Sequence, residues 1–330
     1  TGPKEENHCL REAAGLFDID HMGQVVIRGP DALRFMQRIM TADVSSFSVG
    51  SANYSLMCYA DGGVVDDTFI YHLPDRYFIA INASNNTKDT RWMEYQKGDL
   101  DVRIENVSDE MYMLALQGPK AMDILNPLCA FDLAALAVET EVAGVPMLVG
   151  RTGYTGEDGF ELFFPTPKAG LVWDSIMESG KPQGLLPIGL AARDSLRFEP
   201  CLPLYGQEIS ATGNPIEAGL GWAVAFDKQG FVGRDALLKV RLEGPARKLV
   251  GLEMIDPGVP RHGYQVVIDG AVRGEVTSGM YAPTPDKFLG LAYVPADYSA
   301  VGTEIGIVIR DKVKAARIVK KPFYVPSYRK

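Results

Sequence analysis

Apolar runs and turn residues follow one pattern up to about residue 245 and a different pattern after it. Before it, strand-like runs precede segments with apolar residues every three or four positions, the spacing of a helix face. "GGVVDDTFIYHL" and "RYFIAINAS" predict two strands, and "NNTKDTRWMEYQ" predicts a capped helix. After it, "RKLVGLEMI" and "FLGLAYV" alternate between glycine turns, which predicts a small barrel or sandwich. The sequence therefore predicts an α+β body over 1–244 and a β domain over 245–330.

Two stretches of the first part are alike. "VVIRGPDALRFMQRIM" (25–40) and "LALQGPKAMDILNPL" (114–128) each contain an apolar strand, a Gly-Pro pair and apolar residues at helical spacing. Proline suits the start of a helix because its missing N–H leaves no bond unmade there. We interpret the two stretches as a repeated strand–helix unit, so the body is expected to contain two interleaved α+β subdomains.

The composition excludes some classes of binding partner. At 330 residues the chain exceeds a single core, so more than one domain is expected. A net charge of −9 argues against nucleic-acid binding, and no apolar run approaches the roughly 20 residues of a membrane span. The four cysteines form no CxxC pair, which favours a reducing compartment. We expect a cytoplasmic protein, mitochondrial if eukaryotic, with a small-molecule partner.

The stretch "RTGYTGEDGFELFF" (151–164) has a glycine at every third position before an acid in an apolar strand. It fits neither the phosphate loop GxxxxGKS/T nor the dinucleotide loop GxGxxG. We expect a tight loop that enters a sheet and places Glu161 in apolar company. An internal salt bridge is the interpretation that the sequence alone favours. The alternative is a ligand with two adjacent N–H groups, such as a pterin ring.

Other charged residues also have structural interpretations. Arg193 and Arg197 share a predicted helix face, which is typical of a solvated or salt-bridged surface. Asp89 falls in the first turn of a predicted helix, where negative charge interacts well with the dipole. Asp66 and Asp67 have no accompanying His or Cys, so we interpret them as structural and predict no metal site. Hydrolase motifs such as GxSxG and HExxH are absent from the sequence.

Many ordered motifs together resemble one family, the T-protein (aminomethyltransferase) of the glycine cleavage system. They include "AAGLFDIDHMGQ", "DGGVVDD", "NASNNTKD", "RTGYTGEDGFE", "GLAARDSLRFE", "PIEAGLGWAV" and "KKPFY". The resemblance implies a cloverleaf of three domains around a central channel that holds tetrahydrofolate, with a small C-terminal β-barrel. The family ordinarily has a further segment before "EENHCLREAAGLFD", and Asp20 stands where a serine is common.

The resemblance also implies roles for five residues. Asp89 matches the family's catalytic aspartate, Tyr154 and Glu161 match pterin-pocket residues, and Arg193 matches a folate-binding arginine. Trp222 is expected to line the same channel, and a core position is the alternative for a tryptophan there.

The implied activity is transfer of the methylene of an aminomethyl group from the lipoyl arm of a carrier protein (H-protein) to tetrahydrofolate. Ammonia is released and 5,10-methylenetetrahydrofolate forms, without a metal. The ordinary pKa of aspartate makes Asp89 an anion at neutral pH unless burial raises that pKa, and an anion there can stabilise a cationic carbon. One alternative is a tetrahydrofolate-dependent demethylase of a small methylated compound. Another is a non-enzymatic folate-binding protein, whose KGCYxGQ signature is replaced here by "KQGFVGRD".

The C-terminal stretch 310–330 reverses the charge of the chain, with eight Lys or Arg against one acid. Alternation predicts that Lys312 and Lys314 lie on one strand face, together with Arg310. Such a face has two interpretations: a solvated sheet edge, or a surface that attracts an anionic partner.

Overall fold

The computed structural model describes residues 1–129 and 137–327. The chain forms two compact units. Unit 1 comprises Thr1–Cys58, Val65–Ala192 and Ala223–Val232, and unit 2 comprises Tyr59–Val64, Arg193–Trp222 and Gly233–Lys330. In the described part of the chain, no helix is both long enough and apolar enough to cross a bilayer. The domain boundary at residue 245 and the three-domain cloverleaf stay predictions.

Helices and strands alternate in the first part of the chain, and strands dominate after residue 245. The α-helices of the described residues are α1 (Pro3–Glu12), α2 (Ala32–Ile39), α3 (Asn86–Lys97), α4 (Ala121–Leu125), α5 (Ala169–Gly180), α6 (Leu190–Phe198) and α7 (Arg234–Glu243). The earlier strands are β1 (Gly15–Asp18), β2 (Gly23–Arg28), β3 (Ser51–Cys58), β4 (Val64–Leu73), β5 (Arg76–Ile81), β6 (Arg103–Asn106), β7 (Met111–Gln117), β8 (Ala137–Val142), β9 (Val145–Gly150), β10 (Gly159–Pro165) and β11 (Leu186–Pro187). The later strands are β12 (Arg247–Met254), β13 (Gln265–Ile268), β14 (Ala271–Ala282), β15 (Lys287–Pro295), β16 (Glu304–Ile309) and β17 (Lys312–Val319).

Two sheets form the framework of unit 1. One has the strand order β3-β4-β5-β2-β6 and the other has the order β11-β1-β7-β10-β9-β8. Strand β10 alternates as predicted: Phe160 and Leu162 join the core with α4 and α5. On its other face, the Phe163 ring meets the rings of Tyr71 and Phe78 edge-on, at centroid distances of 5.3 and 4.9 Å. Glu161 belongs to this second face of β10, because side chains two apart in a strand point the same way.

The predicted repeat is present in unit 1, as β2 followed by α2 and β7 followed by α4. The glycines after the two strands have nearly the same backbone, with φ of +123° at Gly29 and +126° at Gly118. A Cβ would lie 2.5 Å from the Asp101 carbonyl oxygen in the first unit and 2.6 Å from the Ala13 carbonyl oxygen in the second. Both positions therefore require glycine, because each has a positive φ and neither has room for a Cβ.

The segment Ala223–Val232 completes unit 1 after a long excursion of the chain. Lys228 lies buried in it and donates from Nζ to the carbonyl oxygens of Met40, at 2.6 Å, and Ala42, at 2.7 Å. Burial lowers the pKa of Lys228 to about 7, against the charge of Asp43. One side chain thus satisfies two backbone acceptors beyond the C-terminal end of α2.

The C-terminal strands form a closed barrel of order β12-β15-β14-β13-β16-β17, which confirms the predicted C-terminal β-barrel. Its interior row on β17 includes Ala316 and Ile318, both buried. Lys312 and Lys314 lie four and two positions before Ala316 in the same strand, so their side chains are on the same face as Ala316 and Ile318. The predicted common face of the two lysines therefore continues the inward-facing row at the end of the barrel. Arg310 lies in the turn before β17, and Arg329 and Lys330 of the basic stretch lie outside the described residues.

Candidate functional site

Asp89 is fully buried in the first turn of α3. No donor hydrogen of the described residues reaches either carboxylate oxygen, and Lys88 Nζ lies 3.6 Å from Oδ1. Burial, reinforced by the charge of Asp66, raises the pKa of Asp89 to about 10. This is the case in which burial raises the pKa of the aspartate, and a carboxyl with a pKa of about 10 keeps its proton at neutral pH.

Asp66, on β4, is the neighbouring acid whose charge adds to the raised pKa of Asp89. Its Oδ2 accepts from the backbone N–H of Asn82 at 2.9 Å, and its Oδ1 accepts from Asn82 Nδ2 at 2.8 Å and Asn85 Nδ2 at 2.7 Å. Asn85 is the N-cap residue of α3, but its side chain makes no cap bond and binds Asp66 instead. In the described part of the chain, no three His, Cys, Asp or Glu side chains converge as metal ligands would.

Asp67 adds a third acid to this group. Its Oδ2 accepts from the Tyr54 hydroxyl at 3.1 Å, and its Oδ1 accepts from Asn82 Nδ2 at 2.8 Å. Burial and the charge of Asp66 raise the pKa of Asp67 to about 7. Burial and Asp67 hold the pKa of Tyr54 well above its ordinary value, and Tyr154 contributes to the same shift. Tyr154, predicted from the sequence, is therefore within electrostatic reach of Tyr54, the hydroxyl partner of Asp67.

Glu161 is buried on β10, opposite Ala115 on β7 and Gly150 on β9. Its Oε2 accepts from Thr152 Oγ1 at 2.5 Å and from the Tyr71 hydroxyl at 2.9 Å. Two hydroxyls thus orient the carboxylate, and the sequence did not identify either of them.

The Tyr71 ring packs against Gly150, and its hydroxyl thereby reaches Glu161. A Cβ at Gly150 would lie only 2.3 Å from the Tyr71 ring, so this position must lack a side chain. Tyr71 and Asp67 lie on the same face of β4, because they are four residues apart in the strand. One strand therefore contributes to both the acid group and the Glu161 environment.

The glycine loop packs against the protein itself. A Cβ at Gly153 would lie 1.8 Å from the Gln117 side chain, and one at Gly159 would lie 2.4 Å from the Leu116 carbonyl oxygen. Gln117 Nε2 donates to the Thr152 carbonyl at 2.9 Å, while its Oε1 accepts from Thr155 Oγ1 at 3.0 Å. The expected tight loop entering a sheet is confirmed, and its close approaches fix the segment that contains Tyr154.

Arg193 and Trp222 belong to unit 2. Arg193 is half-buried on α6, and Trp222 is 71% exposed, so the alternative that it is a core residue is wrong. The structural interpretation holds for Arg197, which is 2% exposed and pairs with Glu208 at 2.9 Å and with Asp194 at 2.8 Å. The structure thus separates the two arginines of the motif: Arg197 belongs to a buried ion-pair network, and the folate role of Arg193 stays a prediction.

Comparison with known proteins places the chain in one family. The model for the GCVT N-terminal domain matches residues 1–228, and the model for the glycine cleavage T-protein C-terminal barrel domain matches residues 247–324. An aminomethyltransferase of Symbiobacterium thermophilum is 49% identical over 99% of this chain and 90% of its own length. One from Geobacillus kaustophilus is 50% identical over 97% of this chain and 90% of its own length. The crystal structure of glycine cleavage system aminomethyltransferase T from Bartonella henselae has a TM-score of 0.91 and 31% identity, covering 98% of this chain and 90% of that one.

Proposed function

The chain belongs to the glycine cleavage T-protein family of aminomethyltransferases, and on this premise we propose how its own residues perform the transfer. Its activity is folate-dependent aminomethyl transfer. The demethylase and the non-enzymatic folate-binding alternatives have less support, because aminomethyltransferases match 97–99% of the chain. The observation that carries the proposed mechanism is the fully buried carboxyl of Asp89, whose pKa is raised to about 10 by burial.

In the proposed mechanism Asp89 moves protons. The substrate carbon is bonded to the lipoyl sulfur and to an amine, and both bonds break while the folate nitrogens form two new bonds to the carbon. Two N–H protons of the folate therefore end on ammonia and on the thiol. Asp89, neutral at the start, donates a proton to a leaving group, and the resulting carboxylate stabilises the cationic carbon and accepts a folate N–H proton. The residue then returns to its neutral state.

Tetrahydrofolate is the proposed co-substrate of this chain, and Glu161 is the proposed anchor of its pterin ring. A carboxylate can accept two adjacent N–H groups of such a ring, and the hydroxyls of Tyr71 and Thr152 fix its orientation. Tyr154, fixed in the glycine loop, is the proposed neighbour of the ring. Arg193 is proposed to bind the folate as a cation, and the exposed ring of Trp222 offers it an apolar surface.

A lipoyl carrier protein (H-protein) is the proposed donor partner, because the family's reaction requires it. The proposed location is the cytoplasm, because relatives such as those of Symbiobacterium and Geobacillus are bacterial.

An ammonia-release assay tests the mechanism. We expect wild-type enzyme to release ammonia from aminomethyl-lipoyl carrier in a tetrahydrofolate-dependent manner, and Asp89→Asn to lower kcat by roughly a hundredfold or more. Asp123→Asn is a matched control, since Asp123 also lies in the first turn of a helix but is exposed. If Asp89→Asn and Asp123→Asn keep the same rate, Asp89 has no catalytic role.

A further inference from the structure

The C-terminal end of α6 is fixed to the barrel by buried side chains. Phe198 is 0% exposed and belongs to an apolar cluster with Leu249 of β12 and Leu291 of β15. Glu199, directly after the helix, is also 0% exposed, and it accepts from the backbone N–H of Thr284 at 2.8 Å and from the Thr284 hydroxyl at 2.7 Å. This end of the helix therefore cannot shift without breaking contacts with the barrel.

Arg197 adds a buried ion pair to this attachment. Its side chain is 2% exposed, and it donates from Nη1 to Glu208 Oε2 at 2.9 Å and from Nε to Asp194 Oδ1 at 2.8 Å. Glu208 is buried as well, and its Oε2 also accepts from the backbone N–H of Leu204 at 3.0 Å. Removing one partner of a buried ion pair leaves the other charge uncompensated. Arg197 and Glu208 therefore depend on each other for their positions.

A β-bulge in β14 presents two consecutive hydroxyls to this ion pair. The pairing of β14 with β15 skips Thr277, because Val276 and Ser278 pair with consecutive residues of β15. Thr277 Oγ1 donates to Glu208 Oε1 at 2.7 Å, and Ser278 Oγ accepts from Arg197 Nη2 at 2.9 Å. Neighbouring side chains of a regular strand point to opposite faces, and a bulge re-aims them. The bulge thus gives each member of the ion pair one barrel hydroxyl.

Arg193 lies one turn before Arg197 on α6. Because side chains four residues apart lie on the same face of a helix, the anchored Arg197 fixes the direction in which Arg193 leaves the helix. We propose that Arg197 and Glu208 are positioning residues for folate binding, which hold α6 so that Arg193 reaches the folate. The proposal deepens the proposed function and rests on the folate role of Arg193. The barrel then contributes to folate affinity through α6, and this role requires no contact between the barrel and the folate.

Steady-state kinetics with tetrahydrofolate as the varied substrate test the proposal through Glu208→Gln. The glutamine keeps the shape of the side chain and removes the charge that holds Arg197. We expect the KM for tetrahydrofolate to rise about tenfold or more and kcat to stay close to wild type, because a misplaced Arg193 weakens ground-state and transition-state binding alike. Partial unfolding would instead lower the apparent kcat and leave KM unchanged. An unchanged KM in Glu208→Gln would overturn the proposal.

Glu217 provides the matched control. It also forms an ion pair in unit 2, with Arg247 Nε at 3.0 Å, but Arg247 lies at the start of β12 and not on α6. Glu217→Gln should therefore keep the wild-type KM for tetrahydrofolate. An equal rise of KM in Glu217→Gln and Glu208→Gln would show that the loss of either ion pair disturbs folate binding, and the specific role of the Arg197–Glu208 pair would be refuted.

Thr277 allows a test that leaves both charges in place. Thr277→Val has nearly the same shape but cannot donate to Glu208, whereas Thr277→Ser keeps the hydroxyl. We expect the KM for tetrahydrofolate to rise in Thr277→Val, by less than in Glu208→Gln, and to stay at the wild-type value in Thr277→Ser. A rise in both variants, or in neither, would contradict the proposal.

A double-mutant cycle separates this proposal from the folate role of Arg193. Calorimetric titration with tetrahydrofolate gives the Kd of Glu208→Gln, of Arg193→Met and of the double variant. If Glu208 acts through Arg193, the double variant should have the same Kd as Arg193→Met, because the residue that Glu208 positions is absent from both. Additive losses would overturn the positioning role. Unchanged affinity in Arg193→Met would instead refute the folate role of Arg193, and the positioning role with it.

Discussion

Replacing Asp89 with asparagine should change how protein stability depends on pH. Asp89 is fully buried and neutral, while the same residue in the unfolded chain ionises near the ordinary pKa of aspartate. An asparagine has nearly the same shape and cannot ionise. The variant therefore removes the titration and keeps the packing.

The sign and size of this pH dependence follow from the raised pKa of Asp89. The stabilisation is complete below the ordinary pKa of aspartate and is lost as the pH rises towards about 10. Between pH 5 and pH 7 the unfolded chain has released this proton and the folded chain has kept it. Each pH unit then costs the wild type about 1.4 kcal/mol, so it should lose about 3 kcal/mol relative to Asp89→Asn over this range.

Urea denaturation at a series of pH values, followed by tryptophan fluorescence, measures this difference. Groups that titrate equally in both proteins cancel when the two free energies of unfolding are subtracted. Asp123→Asn, at an exposed position, should show no pH-dependent difference from wild type. If the curves of wild type and Asp89→Asn run parallel from pH 5 to pH 7, Asp89 is ionised in the folded protein and the reasoning on its buried, neutral carboxyl is refuted.

The other predictions concern the pterin anchor, a buried amine and the barrel end. Glu161→Ala should weaken tetrahydrofolate binding by about 2–5 kcal/mol in calorimetric titration, and unchanged affinity would remove Glu161 from the site. Lys228→Met leaves two carbonyls without their donor and should lower the free energy of unfolding by about 1–3 kcal/mol. Because the pKa of Lys228 is lowered, wild-type stability rises with pH above 7 and the deficit should grow towards pH 10; a deficit that shrinks would contradict this. Lys312→Glu combined with Lys314→Glu should slow carrier-dependent turnover most at low ionic strength, and an unchanged salt dependence would show that the carrier does not dock there.

Local patterns predicted the elements well, because each pattern reports a periodicity that the element itself imposes. The alternation of apolar residues in β10 places Phe160 and Leu162 in the core and Glu161 on the opposite face, as expected. The glycine-punctuated runs after residue 245 form the closed barrel. A motif match also singled out Tyr154, whose place in the pterin pocket stays a prediction.

The protonation state of Asp89 could not be read from the sequence. It depends first on burial and then on the charge of Asp66, which lies on a different element and is 23 positions away in the chain. Asn82 and Asn85 donate hydrogen bonds to Asp66, but in the sequence alone both are equally typical of turn and cap positions. Complete burial decides between the anion and the neutral acid, and burial is a property of tertiary packing. The sole sequence signal was the pair of asparagines three residues apart before α3.

The return of Ala223–Val232 to unit 1 has a consequence for the order in which the chain can fold during synthesis. Lys228 and its acceptor Met40 are 188 positions apart, so their bond closes one of the longest loops in the molecule. Contacts of such sequence separation form late, since the entropy of loop closure precedes any gain from the contact. A nascent chain that has emerged only as far as α6 contains both sheets of unit 1 but not this amine. The carbonyls of Met40 and Ala42 must then depend on water until ribosomal elongation has passed residue 228.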